Sequence, residues 1–175
     1  IREGKMVKAG TGEPLAFEIL LFQKTFERVV LPFKNNLARL GIDMTVRTVD
    51  SNQYVQRLRN FDFDMIVQTL GQSDSPGNEQ RDYWYSSSAD MHGSRNYMGV
   101  RDPVVDQLVD LVIQAPDRQE LVYRVRALDR VLLHGYYAIP QWHLGKDRVA
   151  YWNHLVRPSV TPKQGIDLNN WWAKP

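Results

Sequence analysis

The chain has 175 residues, with 22 Lys and Arg against 20 Asp and Glu for a formal net charge of +2, a length suited to one domain with a sizeable core. A hydrophobic fraction of 43% with five Trp excludes extended disorder, and the absence of Cys excludes disulfides, thiolate nucleophiles and Cys-ligated zinc or iron sites. The pI is about 8.9, but a net +2 with interspersed signs lacks the concentrated charge that phosphate neutralisation needs, so nucleic acid is not expected as a partner.

The apolar run Leu15 to Phe22 follows the turn-forming Gly10, Gly12 and Pro14 and predicts a buried strand. Phe26, Val29, Val30, Phe33, Leu37 and Leu40 then recur at helical spacing, with Gly41 able to adopt positive φ past the helix end. Pro32 lies inside this pattern and either kinks the helix or marks its true start. Ile42, Met44, Val46 and Thr48 alternate with Asp43, Thr45, Arg47 and Val49, the period of a strand. Asp50 and Gln53 form a capping box for a short helix carrying Tyr54, Val55 and Leu58, and Met65 to Leu70 predicts another strand. Strand, helix, strand, helix, strand with tight connections is the pattern of βαβ units on a parallel sheet.

Residues 71–99 make a long polar stretch interrupted by Arg81, Asp82, Tyr83, Trp84 and Tyr85, where one short helical turn is expected. Loops of this length in compact domains are functional or disordered, and the aromatics argue for order. Two helices should follow. Asp102 and Pro103 are an N-cap and first-turn pair, Asp117 and Glu120 repeat the capping-box signature, and Gly135 ends the second helix. Ala138 to His143 and Arg148 to Trp152 are β-rich, and 153–175, with Pro158, Pro162 and Gly165, reads as an irregular tail. No stretch approaches the roughly 20 apolar residues of a membrane span. Ile1 to Gly12 lacks the apolar run of a signal peptide, and a start at Ile1 is expected of a chain processed or cut from a longer one.

The G-x-S-x-G elbow, H-E-x-x-H, the Walker loop and G-x-G-x-x-G after a strand are missing from the sequence. His92, His134, His143 and His154 lie far apart, so no metal site is expected, and His134 suits the last turn of a helix, where a cation is favoured. Asp62 and Asp64 flank Phe63 before the third strand, at the opposite end from the ligand crevice of open α/β sheets, and read as turn and cap residues. A hydrolase or transferase acting through them and a histidine is the rival from another class, and an RNA- or membrane-surface module using Arg57 and Arg59 is a second.

The stretch from Gly71 leaves the carboxyl end of a strand read as central, where open α/β sheets bind ligands. Gln72, Ser73, Asp74 and Ser75 are short and polar there. Asp74 could hold an ammonium group by a charge-assisted hydrogen bond while hydroxyls and backbone groups orient an amide chain. Equally, Asp74 to Gly77 matches the residue preferences of a β-turn. Tyr136, Tyr137, Trp142, Tyr151 and Trp152 surround the last β-rich segments as core or, for Trp142 and Trp152, as cleft walls.

Leu40-Gly-Ile42, Val49-Asp50 and Phe61-Asp-Phe-Asp-Met65 together resemble the C-terminal lobe of the oligopeptide and dipeptide class of extracellular solute-binding proteins of ABC importers. The order continues through Asp102-Pro103, Val105-Asp106, Leu108, Leu128-Asp-Arg-Val-Leu-Leu133 and Ile139-Pro140. Within that class, Ser75-Pro-Gly-Asn-Glu-Gln-Arg81, Gly93-Ser-Arg-Asn-Tyr97, Ala150-Tyr-Trp152 and Trp171-Trp172 are similar to the Yej-type peptide-binding subgroup. The resemblance implies an α/β lobe of the periplasmic-binding-protein type, with a βαβαβ parallel core followed by two helices and a short β region, spanning 1–175 as a single lobe of a longer two-lobe receptor. It implies a periplasmic, non-enzymatic, cofactor-free protein that captures short peptides or peptide-like compounds, with 71–99 as the ligand-facing loop. The missing N-terminal lobe and an inner-membrane ABC permease are the implied partners, and Trp171 and Trp172 would return toward the other lobe. The family places an acidic residue shortly after this strand to meet the peptide ammonium, and Asp74 is the nearest match, although the spacing from Gly71 is one residue shorter and Gln72 stands where the family has Trp. Arg95 and Asn96 either bind peptide carbonyls or a carboxylate, or pin the loop before Asp102. Related receptors also carry nickel chelates or sugar oligomers on one scaffold.

Overall fold

The computed structural model describes residues 1–141, 145–146, 148–162 and 165–174. They form two compact units, Ile1–Ala138 and Ile139–Pro175. In the first, strands β1 (Ala16–Leu21), β2 (Asp43–Thr48) and β3 (Met65–Ile66) form a parallel sheet in the order β2-β1-β3. Helices α1 (Glu27–Arg39) and α2 (Ser51–Arg59) make the crossovers, giving the expected βαβαβ core.

Both faces of β1 are covered where Ile19, Leu20 and Leu21 follow one another, which explains that apolar run. Ile19 and Leu21 pack with Met44 of β2 and Val30 of α1, while Leu20 points the other way against Tyr54 and Leu58 of α2. At the edge, β2 buries only Met44 and half-buries Val46, so its alternation survives in the sequence. Pro32 is an interior residue of α1 rather than its start. Gly41 follows the helix with φ of 77°, and an added Cβ would lie 2.4 Å from the Gly4 carbonyl oxygen, so both its torsion and the N-terminal segment packed on it demand glycine.

Two expectations fail at the third strand. It is an edge strand, not a central one, and it spans two residues instead of six. The strand ends where the Val67 carbonyl accepts from the Tyr54 hydroxyl of α2 at 3.2 Å, a side chain taking the place of a ladder bond.

Within 71–99 lies α3 (Glu79–Trp84), the expected short helix, and after the loop come α4 (Pro103–Ile113) and α5 (Arg118–His134). Asp102 and Asp117 cap α4 and α5 as predicted, accepting from the Val104 and Glu120 amides. Val105, Val109 and Val112 make one buried stripe of α4 that meets Leu128 of α5 and Val100 of the loop in a second core. Gly135 has an ordinary φ of −75°, and the left-handed residue is Tyr136 at φ 53°. Glycine is needed at 135 for a different reason, since a Cβ there would lie 2.2 Å from the Tyr137 ring.

In the second unit, β4 (Leu155–Val156) pairs antiparallel with β5 (Trp172–Ala173), a ladder inside the stretch read as irregular. The described parts of the two segments read as β-rich, around 139–141 and 148–152, carry no strand. Their aromatic content serves side-chain packing instead: Tyr151 meets Trp171 edge to face at 4.8 Å. Trp172 and Trp152 are largely exposed.

Candidate functional site

Because β1→β2 and β2→β3 step to opposite sides of β1, the chain reverses its winding between the carboxyl ends of β1 and β3. Open α/β sheets bind ligands at this switch point. Residues 69–75 leave β3 there as an exposed ledge. Phe22, the first residue beyond β1, lies at the same edge, 41% exposed, with its ring 4.7 Å from that of Tyr54. Sequence reading placed Phe22 within a buried strand; the signal missed was that the apolar run outlasts the strand by one residue.

The ledge is shaped by side-chain contacts. Ser73 Oγ accepts from the Ser75 amide at 3.2 Å, and Arg118, the first residue of α5, donates to the Asp74 carbonyl. The Gly77 amide donates to Glu79 Oε1 at 2.9 Å. Gln72 Nε2 donates to the same Glu79 oxygen at 3.0 Å, and Gln72 Oε1 accepts from Gln80 Nε2 at 2.8 Å. Gln72 is thus turned into the frame of the ledge, leaving Ser73, Asp74 and Ser75 as its outer surface. The Glu79 carboxyl sits below its usual pKa: burial, which alone would raise it, is outweighed by hydrogen bonds from the Gly77 and Glu79 amides and from Gln72 and Gln80.

Arg95 joins this surface through Tyr83. The Tyr83 hydroxyl donates to the Gly71 carbonyl at 3.1 Å and accepts from Arg95 Nη1 at 2.9 Å, while the guanidinium lies 4.9 Å above the Tyr83 ring. Asp82 fixes the other side of Arg95 at 2.8 Å. The Arg95 side chain remains half exposed and can meet an anion or a carbonyl.

Asn96 has the other of its two expected roles. It is fully buried, its Nδ2 donates to the Tyr85 and Val100 carbonyls, and its Oδ1 accepts from the Val100 amide. Three of the four hydrogen-bonding directions of its amide are used inside the loop, so it pins 94–100 and is corrected from a ligand contact to a frame residue. Trp142 lies outside the described residues.

Asp62 and Asp64 also have structural partners. Asp62 accepts from Arg57 Nε at 2.9 Å, and Asp64 Oδ2 accepts from the Glu18 amide at 2.8 Å, tying the amino-terminal entrance of β3 to β1. Arg57, a residue of the RNA- or membrane-surface alternative, is engaged by Asp62 and Glu18. Among the described residues, no group of three or more His, Asp or Glu could hold a metal ion, and no helix is long and apolar enough to cross a membrane.

No family model matches the chain. It is 50% identical over 171 residues to the uncharacterized protein y4wM of Sinorhizobium fredii, covering 97% of this chain and 26% of that protein. It is 47% identical over 174 residues to a probable peptide-binding protein, YejA, of Agrobacterium fabrum, covering 99% of this chain and 28% of that one. The chain therefore spans about a quarter of the length of the curated relatives it matches. Its fold is that of periplasmic-binding-protein lobes: the oligopeptide-binding protein AppA of Bacillus subtilis, solved with a nonapeptide, superposes with a TM-score of 0.74 at 18% identity over all of this chain and 35% of that one. The resemblance to Yej-type peptide-binding proteins read from the residues is borne out by these similarities.

Proposed function

We propose that this chain is one lobe of a periplasmic solute-binding protein of an ABC importer, which captures oligopeptides or peptide-like compounds between two lobes and delivers them to an inner-membrane permease. The observation that carries this reading is the exposed polar ledge 73–75 at the switch point, held in shape before any ligand arrives. Similarity over the whole chain to a probable peptide-binding protein supports the cargo class. The lobe performs no chemistry. Asp62 and Asp64, the carboxylates of the hydrolase alternative, are engaged with Arg57 and the β1 backbone away from the ledge.

In this reading Asp74 receives the peptide ammonium, Ser73 and Ser75 offer hydroxyl and backbone groups to the peptide chain, and Arg95 binds a carbonyl or carboxylate. A peptide touching both lobes favours the closed receptor only through its extra contacts in that state, and this differential affinity drives closure. A lone lobe offers part of those contacts and binds correspondingly weakly.

The test compares tetraalanine with N-acetyl-tetraalanine on the protein at its natural length, with and without Asp74→Asn. A charge-assisted hydrogen bond contributes about 1.5–3 kcal/mol, so the substitution should weaken tetraalanine binding about 10- to 100-fold. Binding of the acetylated peptide, which has no ammonium, should hardly change. Unchanged tetraalanine affinity would remove Asp74 from the site.

A further inference from the structure

We infer that Glu79 is the positioning residue of the ligand ledge, an anionic acceptor on which 72–77 is folded. Three donors from two elements converge on its Oε1: the Gly77 amide at 2.9 Å and Gln72 Nε2 at 3.0 Å from the loop, and Gln80 Nε2 at 3.3 Å from α3. The arrangement is a directional relay. Trp84 Nε1 donates to Gln80 Oε1 at 3.1 Å, Gln80 Nε2 donates to Gln72 Oε1 at 2.8 Å, and Gln72 Nε2 donates to Glu79. Each amide has its oxygen facing a donor and its nitrogen facing an acceptor, so the chain of bonds runs in one sense and ends on an acceptor. An ionised carboxylate is the stronger acceptor there; an amide oxygen in its place would take the same donors without the charge assistance.

Gln72 and Gly77 bracket Ser73, Asp74 and Ser75, and both brackets close on Glu79. Its grip therefore sets the direction in which Asp74 leaves the sheet edge. Glu79 touches no ligand in this scheme; it acts through the ledge. Sequence reasoning had no reason to select it, because an acidic residue in the first turn of a helix reads as a dipole partner.

The functional arm of this inference rests on the peptide-binding reading; its structural arm does not. On the natural-length protein, amide hydrogen exchange is followed at 72–77 and across α4 and α5 for the unaltered protein, Glu79→Gln, Glu79→Ala and the double variant Gln72→Glu with Glu79→Gln. Removing a charge-assisted bond should speed exchange at Gly77 about tenfold or more in Glu79→Gln and further in Glu79→Ala, with α4 and α5 unchanged. The double variant moves the carboxylate to position 72, where it can accept from Gln80 and from the new amide at 79, but leaves Gly77 facing the same neutral amide oxygen as in Glu79→Gln; exchange at Gly77 should stay as fast as in Glu79→Gln. Tetraalanine affinity should fall about tenfold in Glu79→Gln and stay lowered in the double variant. Unchanged protection at Gly77 in Glu79→Gln, or full protection in the double variant, overturns the inference. If protection follows the expected order but the unaltered protein does not bind tetraalanine, positioning stands and the peptide reading falls.

Discussion

Asn96→Ala tests the division between frame and ligand surface most sharply within the loop. The Asn96 side chain makes three hydrogen bonds, at 3.2, 3.0 and 2.8 Å, to the Tyr85 carbonyl, the Val100 carbonyl and the Val100 amide. Asn96 and Val100 are both fully buried, so water cannot replace the lost partner. Three neutral bonds at about 1 kcal/mol each, with a buried Val100 amide left unpaired at a further cost of about 1–3 kcal/mol, give a destabilisation of about 4–6 kcal/mol. That is a large share of the roughly 5–15 kcal/mol that holds a domain folded. Asn96→Asp should cost more, because its second oxygen would face two carbonyl oxygens. Urea unfolding followed by far-ultraviolet ellipticity should show the midpoint falling in that order with the slope preserved. A loss below about 1 kcal/mol accompanied by loss of peptide affinity would contradict the assignment and return Asn96 to the ligand surface.

Gly135→Ala brings a Cβ within 2.2 Å of the Tyr137 ring, so overpacking of about 1–3 kcal/mol should outweigh the helix propensity gained, and combining it with Tyr137→Ala should relieve the clash in a double-mutant cycle by thermal melting. Burial of Tyr54, reinforced by Tyr97, pushes its phenol up to about 12. Its contribution is fully present below the unfolded value of about 10 and is lost as pH rises from there through about 12, so Tyr54→Phe should flatten the alkaline limb of the stability profile. Asp110 is held below the usual carboxylate range by the hydrogen bond from Arg81, with burial opposing and Tyr85 assisting. Its contribution is present above the unfolded value of about 3.9 and disappears as pH falls through the folded one, so Asp110→Asn should differ from the unaltered chain at neutral pH and converge with it in acid.

The parallel core was legible because its determinants are local. The run around Ile19 to Leu21 announces a strand covered on both faces, the alternation around Met44 and Val46 announces an edge, and Asp50, Asp102 and Asp117 each sit where their carboxylates cap a helix. The errors arose where a distant side chain decides. Nothing between Met65 and Leu70 reveals that Tyr54 will take the Val67 carbonyl and end the strand. Gly135 looks like a left-handed cap, yet its role is to clear the Tyr137 ring. The order of elements put Ser73, Asp74 and Ser75 just beyond the third strand, and they are exposed there. The inward commitment of Gln72 and Asn96 depends on residues 80 and 100, whose proximity only the fold creates.

The central claim is tested most directly by native mass spectrometry of the natural-length protein, purified without refolding and titrated with a mixed short-peptide library, a sugar-oligomer mixture and nickel chelates. The account predicts adducts with peptides of one length class that compete with one another. Adducts with sugars or nickel chelates and none with peptides would leave the fold standing and contradict both the peptide cargo and the role given to Asp74.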